Sequence, residues 1–461
     1  MPVSALDTAP PTAPPQPGLP PRPNLSNLMM SVGFMLTPTR FLDSCRNRCG
    51  DYFTLLPTPD RVLVVTADPD AVRRVFTGDP DLLHAGEGNV TLAPLLGPGS
   101  VLLLDGEEHL RHRRLLLPPF HGERMRAYGA MMEEVAERRI AEWPAGRDFA
   151  VLPSMQAITL EVIMRAVFGF EDAERRERIG GPLRRLLDAV ASRPRVLALA
   201  LTAGRNGPLS PWRRFSAIRE RADRLLYAEI AARRRDPHGD EGDDIFSMLL
   251  AARDPDGRPL SDSELRDELM TLLLAGHETT ATALAWTFER LTRAPGVLER
   301  LIAAEAAGDE SYLDAVIKES LRLRPVVPAV VRRLQAPMEF GGWELPAGVN
   351  IAPSIYLMHR RADIYPEPLE FRPERFLDDP PGTYEWIPFG GGVRRCLGAS
   401  FAVFEMKIVI RAVLAARRLR TRPGARPEGV TRRAITFAPT RGARIAAAPA
   451  PVSRAAAGRP A

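Results

Sequence analysis

Residues 389–398 read FGGGVRRCLG, and they hold one of only three cysteines in 461 residues. Glycines let backbone approach another group or turn where a Cβ would clash. Arginine grips carboxylates with a two-pronged fork, and a cysteine thiolate is a soft metal ligand. Gly390, Gly391 and Gly392 with Arg394 ahead of Cys396 therefore describe a thiolate aimed at a metal, beside an anionic group that needs neutralising. The other two cysteines, Cys45 and Cys49, form a C-x3-C pair with no second pair to complete a zinc site, and read as structural thiols.

A second unusual stretch is AGHETT, Ala275 to Thr280. Glycine, two threonines and an acid in succession lower helix propensity and cost desolvation inside a buried helix. One reading is that Thr279 and Thr280 bond back to the preceding turn and bend the helix. The other is that Ala275 and Gly276 make room for a flat ligand while Glu278 and Thr279 deliver protons. A zinc-protease H-E-x-x-H motif is excluded, because the second histidine position is Ala281. Glu319 and Arg322 in KESLR lie at i, i+3, a pair worth only about 0.2–0.5 kcal/mol on an exposed helix. FRPERF, residues 371–376, can bring Arg375 to the same glutamate. In EEHLRHRR, His109 and Arg113 point the same way at i, i+4. With Arg332 and Arg394 they make four cationic or donor groups from three distant regions.

The elements that position these residues are mainly helical. Residues 107–323 carry mostly helical patterning. The best-marked helix starts at Ser261 and Glu264, a capping box, and runs about 32 residues to the APG at 294–296, about 48 Å. Short strands are predicted at 51–56 and 61–65, and strand-like segments at 329–352 and 434–446. Residues 80–106 are punctuated by Gly and Pro, a long loop of a kind that is usually functional. Residues 1–25, with nine prolines, read as a disordered leader. Residues 447–461 read as a frayed tail, with 26–446 one domain between them.

An apolar fraction of 45%, a charged fraction of 26% and a net charge of +5 suit an ordinary globular protein. Without a Lys/Arg block, nucleic acid is not expected as a partner. No stretch reaches the roughly 18–20 apolar residues of a membrane span. The apolar run at 28–36 is half that length, and whether it touches a membrane surface stays open. With no signal-peptide pattern, a reduced, cytoplasmic protein is expected.

In this order the motifs resemble those of the cytochrome P-450 superfamily of haem-thiolate monooxygenases, over about residues 25–446. Phe389, Gly390, Gly392, Arg394, Cys396 and Gly398 match F-G-x-G-x-R-x-C-x-G. AGHETT is similar to the family's oxygen-binding helix motif, Glu319 and Arg322 to its E-x-x-R pair, PERF to its arginine element, and His109 with Arg113 to its H-x-x-x-R. The resemblance implies a mainly α fold with small β-sheets, one large domain around a buried haem b. Cys396 would be the axial iron ligand, on a loop shaped by Phe389, Gly392 and Gly398. His109, Arg113, Arg332 and Arg394 would serve the haem propionates. Oxygen would bind in the Ala275–Gly276 groove, with Glu278 and Thr279 supplying protons, and Glu319, Arg322 and Arg375 would form a structural network.

The implied reaction is hydroxylation or epoxidation of an apolar small molecule such as a fatty acid, terpenoid or steroid, using O2. Electrons would come from a ferredoxin with its reductase or from a flavoprotein, since the 65 residues after Cys396 leave no room for a redox domain. A monomer is expected. The implied pocket lining is Val101 to Leu104, Leu274, Ala275, Val326 to Val330 and Phe437. A peroxygenase using H2O2, and a haem-binding sensor or electron carrier, are the alternatives; the presence of Glu278 and Thr279 counts against both.

Overall fold

The computed structural model describes residues 18–449, except 59–60, 121–122, 171–172, 192–197, 200–201, 203–206, 208–209, 237–241, 421–423 and 434. The helices of nine residues or more are α1 (Asn27–Leu36), α2 (Pro38–Cys49), α3 (Pro69–Thr77), α4 (Gly106–Leu116), α5 (Glu123–Ala141) and α6 (Leu152–Phe168). They continue with α7 (Ala173–Ala191), α8 (Pro211–Arg235), α9 (Asp262–Arg293), α10 (Pro295–Ala306), α11 (Glu310–Leu323) and α12 (Ala399–Ala416). The strands are β1 (Tyr52–Thr58), β2 (Arg61–Thr66), β3 (Leu83–His84), β4 (Asp148–Ala150), β5 (Arg332–Leu334) and β6 (Met338–Phe340). β7 (Trp343–Leu345), β8 (Asn350–Pro353), β9 (Arg417–Arg420), β10 (Val430–Arg433), β11 (Thr436–Pro439) and β12 (Arg444–Pro449) complete them.

The helix that carries AGHETT forms as its ends dictate. The Ser261 side chain accepts from the Glu264 amide and the Glu264 side chain accepts from the Ser261 amide, closing the capping box. Asp262 and Glu264 occupy its first turn and Arg290 and Arg293 its last, each complementing the helix dipole. Its 32 residues pass through the main apolar core, where residues of α5, α6, α8, α9, α11 and α12 pack together. α6 lies along it, and Thr159 Oγ1 donates to the carbonyl of His277 at 3.0 Å.

A separate apolar cluster binds α3 to a five-stranded sheet of order β1-β2-β8-β5-β3. Here β2 pairs in parallel with β8, and β5 runs antiparallel to it. This register places Arg332, opposite Ile351, at the start of β5. The hairpin β10-β11 and the sheet β4-β12-β9 close the C-terminal side.

Two expected boundaries fall inside ordered contacts. Residues 1–17 and 450–461 lie outside the described residues, but the end of the expected leader does not. Pro21 O accepts from the Thr54 amide and Pro20 O from the Thr54 hydroxyl, both at 2.8 Å, so this segment runs along β1. Likewise Ala447, Ala448 and Pro449 pair with β9, so the expected tail begins within a strand. The reason is that proline-rich backbone still offers carbonyl acceptors to a sheet edge. The expected long loop at 80–106 is also more structured than its glycines suggest. It contains β3 and short helical turns at Ala85–Gly88, Val90–Leu92 and Ala93–Leu96.

Candidate active site

The cysteine loop leads into α12. Ile387 O accepts from the Gly390 amide, and Phe389 O accepts from the Cys396 amide at 2.9 Å, which folds residues 389–396 back on themselves. Gly392 has φ +63°, and a Cβ there would lie 1.9 Å from the Phe76 carbonyl oxygen of α3. Only glycine fits so close to α3 in that conformation. Cys396 is solvent-accessible, unlike the buried Cys45. It is nevertheless so surrounded by protein that burial raises its thiol above the ordinary range, opposed by the Gly398 amide and the charges of Arg113 and Arg395. A side chain at once accessible and surrounded lines a recess.

The four cationic or donor groups gather at this recess. Burial, with the charges of Arg394, Arg113 and Arg332, pushes His109 down to about 3. Burial and Arg394 push Arg332 down to about 10. Burial and Arg113 lower Arg394 to about 10, partly offset by Asp105. Burial also lowers Arg113, offset by Cys396. Among the described residues, Arg113 and Arg332 form no salt bridge. The Asp105 carboxylate, among the described residues, offsets His109, Arg332 and Arg394, and the Cys396 sulfur offsets Arg113. That donor set fits a ligand carrying two carboxylates, and the accessible thiol beside Arg113 fits an iron ligand. Haem supplies both features.

Arg394 is also tied to protein acceptors. Its guanidinium donates to Val101 O at 3.1 Å, Leu104 O at 2.6 Å and Asp105 Oδ1 at 2.6 Å. Its fork is therefore largely used in fastening the 101–105 segment, because Asp105 offers a fixed carboxylate at the start of α4.

α9 opens toward solvent at its centre. Between Leu265 and Arg293 the exposed residue is Ala275, while Leu274, Gly276, Glu278 and Thr279 are half-buried. Thr279, one turn on, donates to Ala275 O at 2.5 Å, the back-bond expected of a threonine in mid-helix. Gly276 also serves helix packing. A Cβ at Gly276 would sit 2.9 Å from Ile163 Cδ1, so its smallness lets α6 pack against α9. Glu278 also reaches α6. Gln156 Nε2 donates to its Oε2 at 2.7 Å, and Arg433 Nε lies 3.2 Å from its Oε1.

Glu319, Arg322 and Arg375 come together in the core. Arg322 donates to both Glu319 oxygens at 2.6 and 2.8 Å, and Arg375 Nε donates to Glu319 Oε1 at 3.2 Å. Phe437, expected on the pocket wall, is instead buried with Phe34 and Tyr356 at ring separations of 6.5 and 5.9 Å. Its amide is tied to Val326 O and its carbonyl to Trp286 Nε1, which turns it inward. At the hairpin turn Ile435 is presented instead, 43% exposed.

The pattern of a cytochrome P450 family model matches residues 15–443. The chain belongs to the cytochrome P450 family. A putative cytochrome P450 135B1 of Mycobacterium tuberculosis is 45% identical over 436 residues, covering 93% of this chain and 91% of that protein. A putative cytochrome P450 138 of Mycobacterium bovis is 40% identical over 449 residues, covering 96% and 99%. Among solved structures, a retinoic acid-bound cyanobacterial CYP120A1 is similar with a TM-score of 0.82 at 25% identity, covering 94% of this chain and all of that one. The haem domain of cytochrome P450DA is similar with a TM-score of 0.81 at 25% identity, covering 95% and 98%. As a P450, this chain is a haem-thiolate monooxygenase: haem held by an axial cysteine thiolate, O2 as oxidant, and redox partners as electron source. Among the described residues, no helix is long and apolar enough to cross a membrane.

Sequence patterns did not single out Asp105, Gln156 or Arg433. Asp105 had a local signal, since it stands one residue before α4 as its N-cap. Gln156 and Arg433 reach Glu278 from 122 and 155 positions away, and nothing in their own neighbourhoods marks them.

Proposed function

We propose that this P450 hydroxylates or epoxidises an apolar small molecule, such as a fatty acid, terpenoid or steroid, with Cys396 as its iron ligand. The observation that carries the reading is the accessible Cys396 thiol beside Arg113, at the edge of a cationic cluster with one carboxylate. His109, Arg113 and Arg332 hold the haem propionates. Arg394 supports them indirectly, by anchoring the 101–105 segment. When bound, haem on a thiolate supplies oxygen activation, the thiolate pushing electron density that favours O–O cleavage.

The protein's own part is to exclude water, orient substrate and meter protons. Leu102, Leu103, Leu104, Leu274 and Ala275 offer an apolar, half-open surface for substrate. The Thr279 hydroxyl spends its hydrogen on Ala275 O, so its lone pairs accept from a water in the recess. Glu278, which accepts from Gln156 and pairs with Arg433, takes up protons from solvent and passes them to that water when its side chain rotates. The retinoic acid bound to the cyanobacterial P450 of similar fold is an apolar acid of the proposed size class. Electrons come from a ferredoxin with its reductase or from a flavoprotein, as a three-cysteine chain cannot spare four thiolates for a cluster of its own.

The test is a spectral binding screen of fatty acids, terpenoids and steroids, followed by turnover with NAD(P)H, a redox partner and isotopically labelled O2. One labelled oxygen atom in the product is expected. Product formed with H2O2 but not with O2 and electrons would replace the proposal by the peroxygenase reading.

A further inference from the structure

The segment 99–101 runs beside α9, and three α9 side chains tie it there. The Gly99 amide donates to Asp267 Oδ2 at 2.8 Å, and Ser100 Oγ lies 2.7 Å from Thr271 Oγ1. The Val101 amide donates to Glu268 Oε1 at 2.9 Å. Asp267, Thr271, Ala275 and Thr279 follow one another at four-residue steps, so they form a slowly turning stripe along the helix. The loop covers the first two positions of this stripe. The exposed helix centre begins at the third.

Glu268 and His112 are both buried and lie outside the proposed oxygen chemistry. His112 Nδ1 is 2.7 Å from Glu268 Oε1, and its Nε2 is 3.1 Å from Glu264 Oε1. Although burial opposes it, the bonds to Glu268 and Glu264 hold this imidazole above its ordinary range. Thus α4, through His112, fixes the rotamer of the same Glu268 oxygen that receives the Val101 amide. The other oxygen, Oε2, has no partner among the described residues. Only one acceptor atom does the holding, which a glutamine can also supply.

We propose that Glu268, oriented by His112, is a positioning residue for substrate selectivity: it sets how closely the Val101–Leu104 wall stands over the haem recess. The wall is held from its other side by Arg394, so it hangs between α9 and the cysteine loop. Releasing the Val101 amide removes the α9 contact nearest the leucines, leaving Asp267 and Thr271 to hold only residues 99 and 100, and the leucines move relative to Ala275. The inference rests on the reading of the recess as a haem site.

The test compares Glu268→Gln, which keeps the acceptor, with Glu268→Leu, which removes it at similar volume. Imidazole and N-alkylimidazoles of increasing tail length serve as probes, because the ring binds haem iron and the tail samples the wall. Imidazole itself should bind all variants alike. The longer tails should change affinity about tenfold in Glu268→Leu, equivalent to about 1.4 kcal/mol, and less than about twofold in Glu268→Gln. Hydrogen exchange of the 97–105 peptide should quicken in Glu268→Leu only. If Glu268→Leu fails to retain haem, the paired change Ser100→Ala with Thr271→Val loosens the same segment without touching a charge, and should shift tail selectivity in the same direction. An unchanged tail dependence, or a Glu268→Gln as altered as Glu268→Leu, overturns the proposal. A wild-type protein with no spectral response to imidazole would instead overturn the haem-site reading.

Discussion

Arg322→Ala should cost more stability than any other single change at the Glu319 network. The Arg322 and Glu319 side chains are both 0% exposed, and the guanidinium makes five hydrogen bonds. Two go to Glu319; the others go to the carbonyls of His359 at 2.7 Å, Pro368 at 2.9 Å and Glu370 at 3.0 Å. Removal strands a buried carboxylate whose remaining donors are Arg375 Nε and the Arg372 amide, at 3.2 and 2.8 Å. Breaking a buried pair this way costs about 3–5 kcal/mol, a large part of the roughly 5–15 kcal/mol that holds a domain folded. The damage should reach the haem first. Arg322 joins α11 to the segment at 359–370, and His359 Nε2 in turn accepts from the Ile387 amide at 2.9 Å, two residues before the cysteine loop. Arg322→Lys should recover only part of the loss, since an ammonium lacks the planar fork. The assay is urea unfolding followed by helical circular dichroism, alongside haem occupancy of the purified protein. A loss under about 1 kcal/mol with full haem occupancy would refute the reasoning, and would mean water enters and replaces the guanidinium.

Other outcomes follow from the site. Thr279→Ala should lower the ratio of oxygenated product to peroxide per NAD(P)H consumed, while substrate affinity changes little, because in the proposed mechanism the hydroxyl holds water rather than substrate. Stability should fall in acid partly through His359, which burial and the nearby Arg322 charge push down to about 3. Its folded pKa lies below the unfolded value near 6.5, so the unfolded chain alone gains the proton as pH drops below about 6.5. That removes about 2 kcal/mol by about pH 5, and His359→Gln should flatten the stability–pH slope by that amount in denaturation series. Arg395 is exposed beside the cysteine, so turnover with an acidic redox partner should decrease as salt rises through slower encounter; a salt-independent rate would argue for docking without charge steering.

What the sequence made legible were features whose signal is local. The capping box at Ser261 and Glu264 marks the start of α9 because both partners sit within one turn. The cysteine loop is legible because glycine and arginine have few other reasons to precede a lone thiol. Glu319 with Arg322 and Arg375 is less so, since i, i+3 pairs are common on helix surfaces and only burial makes this one a network. The packing role of Gly276 was not legible, because small residues serve helix packing and ligand access alike and the neighbour, Ile163, comes from a distant helix. Phe437 was misread because a strand alternates its faces, so a shift of one residue exchanges core for pocket. The Glu278 contacts with Gln156 and Arg433 depend on the tertiary fold, and no spacing in the chain encodes them.

The reduced carbon monoxide difference spectrum of the wild-type protein and of Cys396→Ser is the decisive comparison. Thiolate ligation predicts a red-shifted Soret band in the wild type that Cys396→Ser abolishes, while Cys45→Ser and Cys49→Ser retain it. Persistence of the band in Cys396→Ser, or its loss in either of the other two, would contradict Cys396 as the iron ligand.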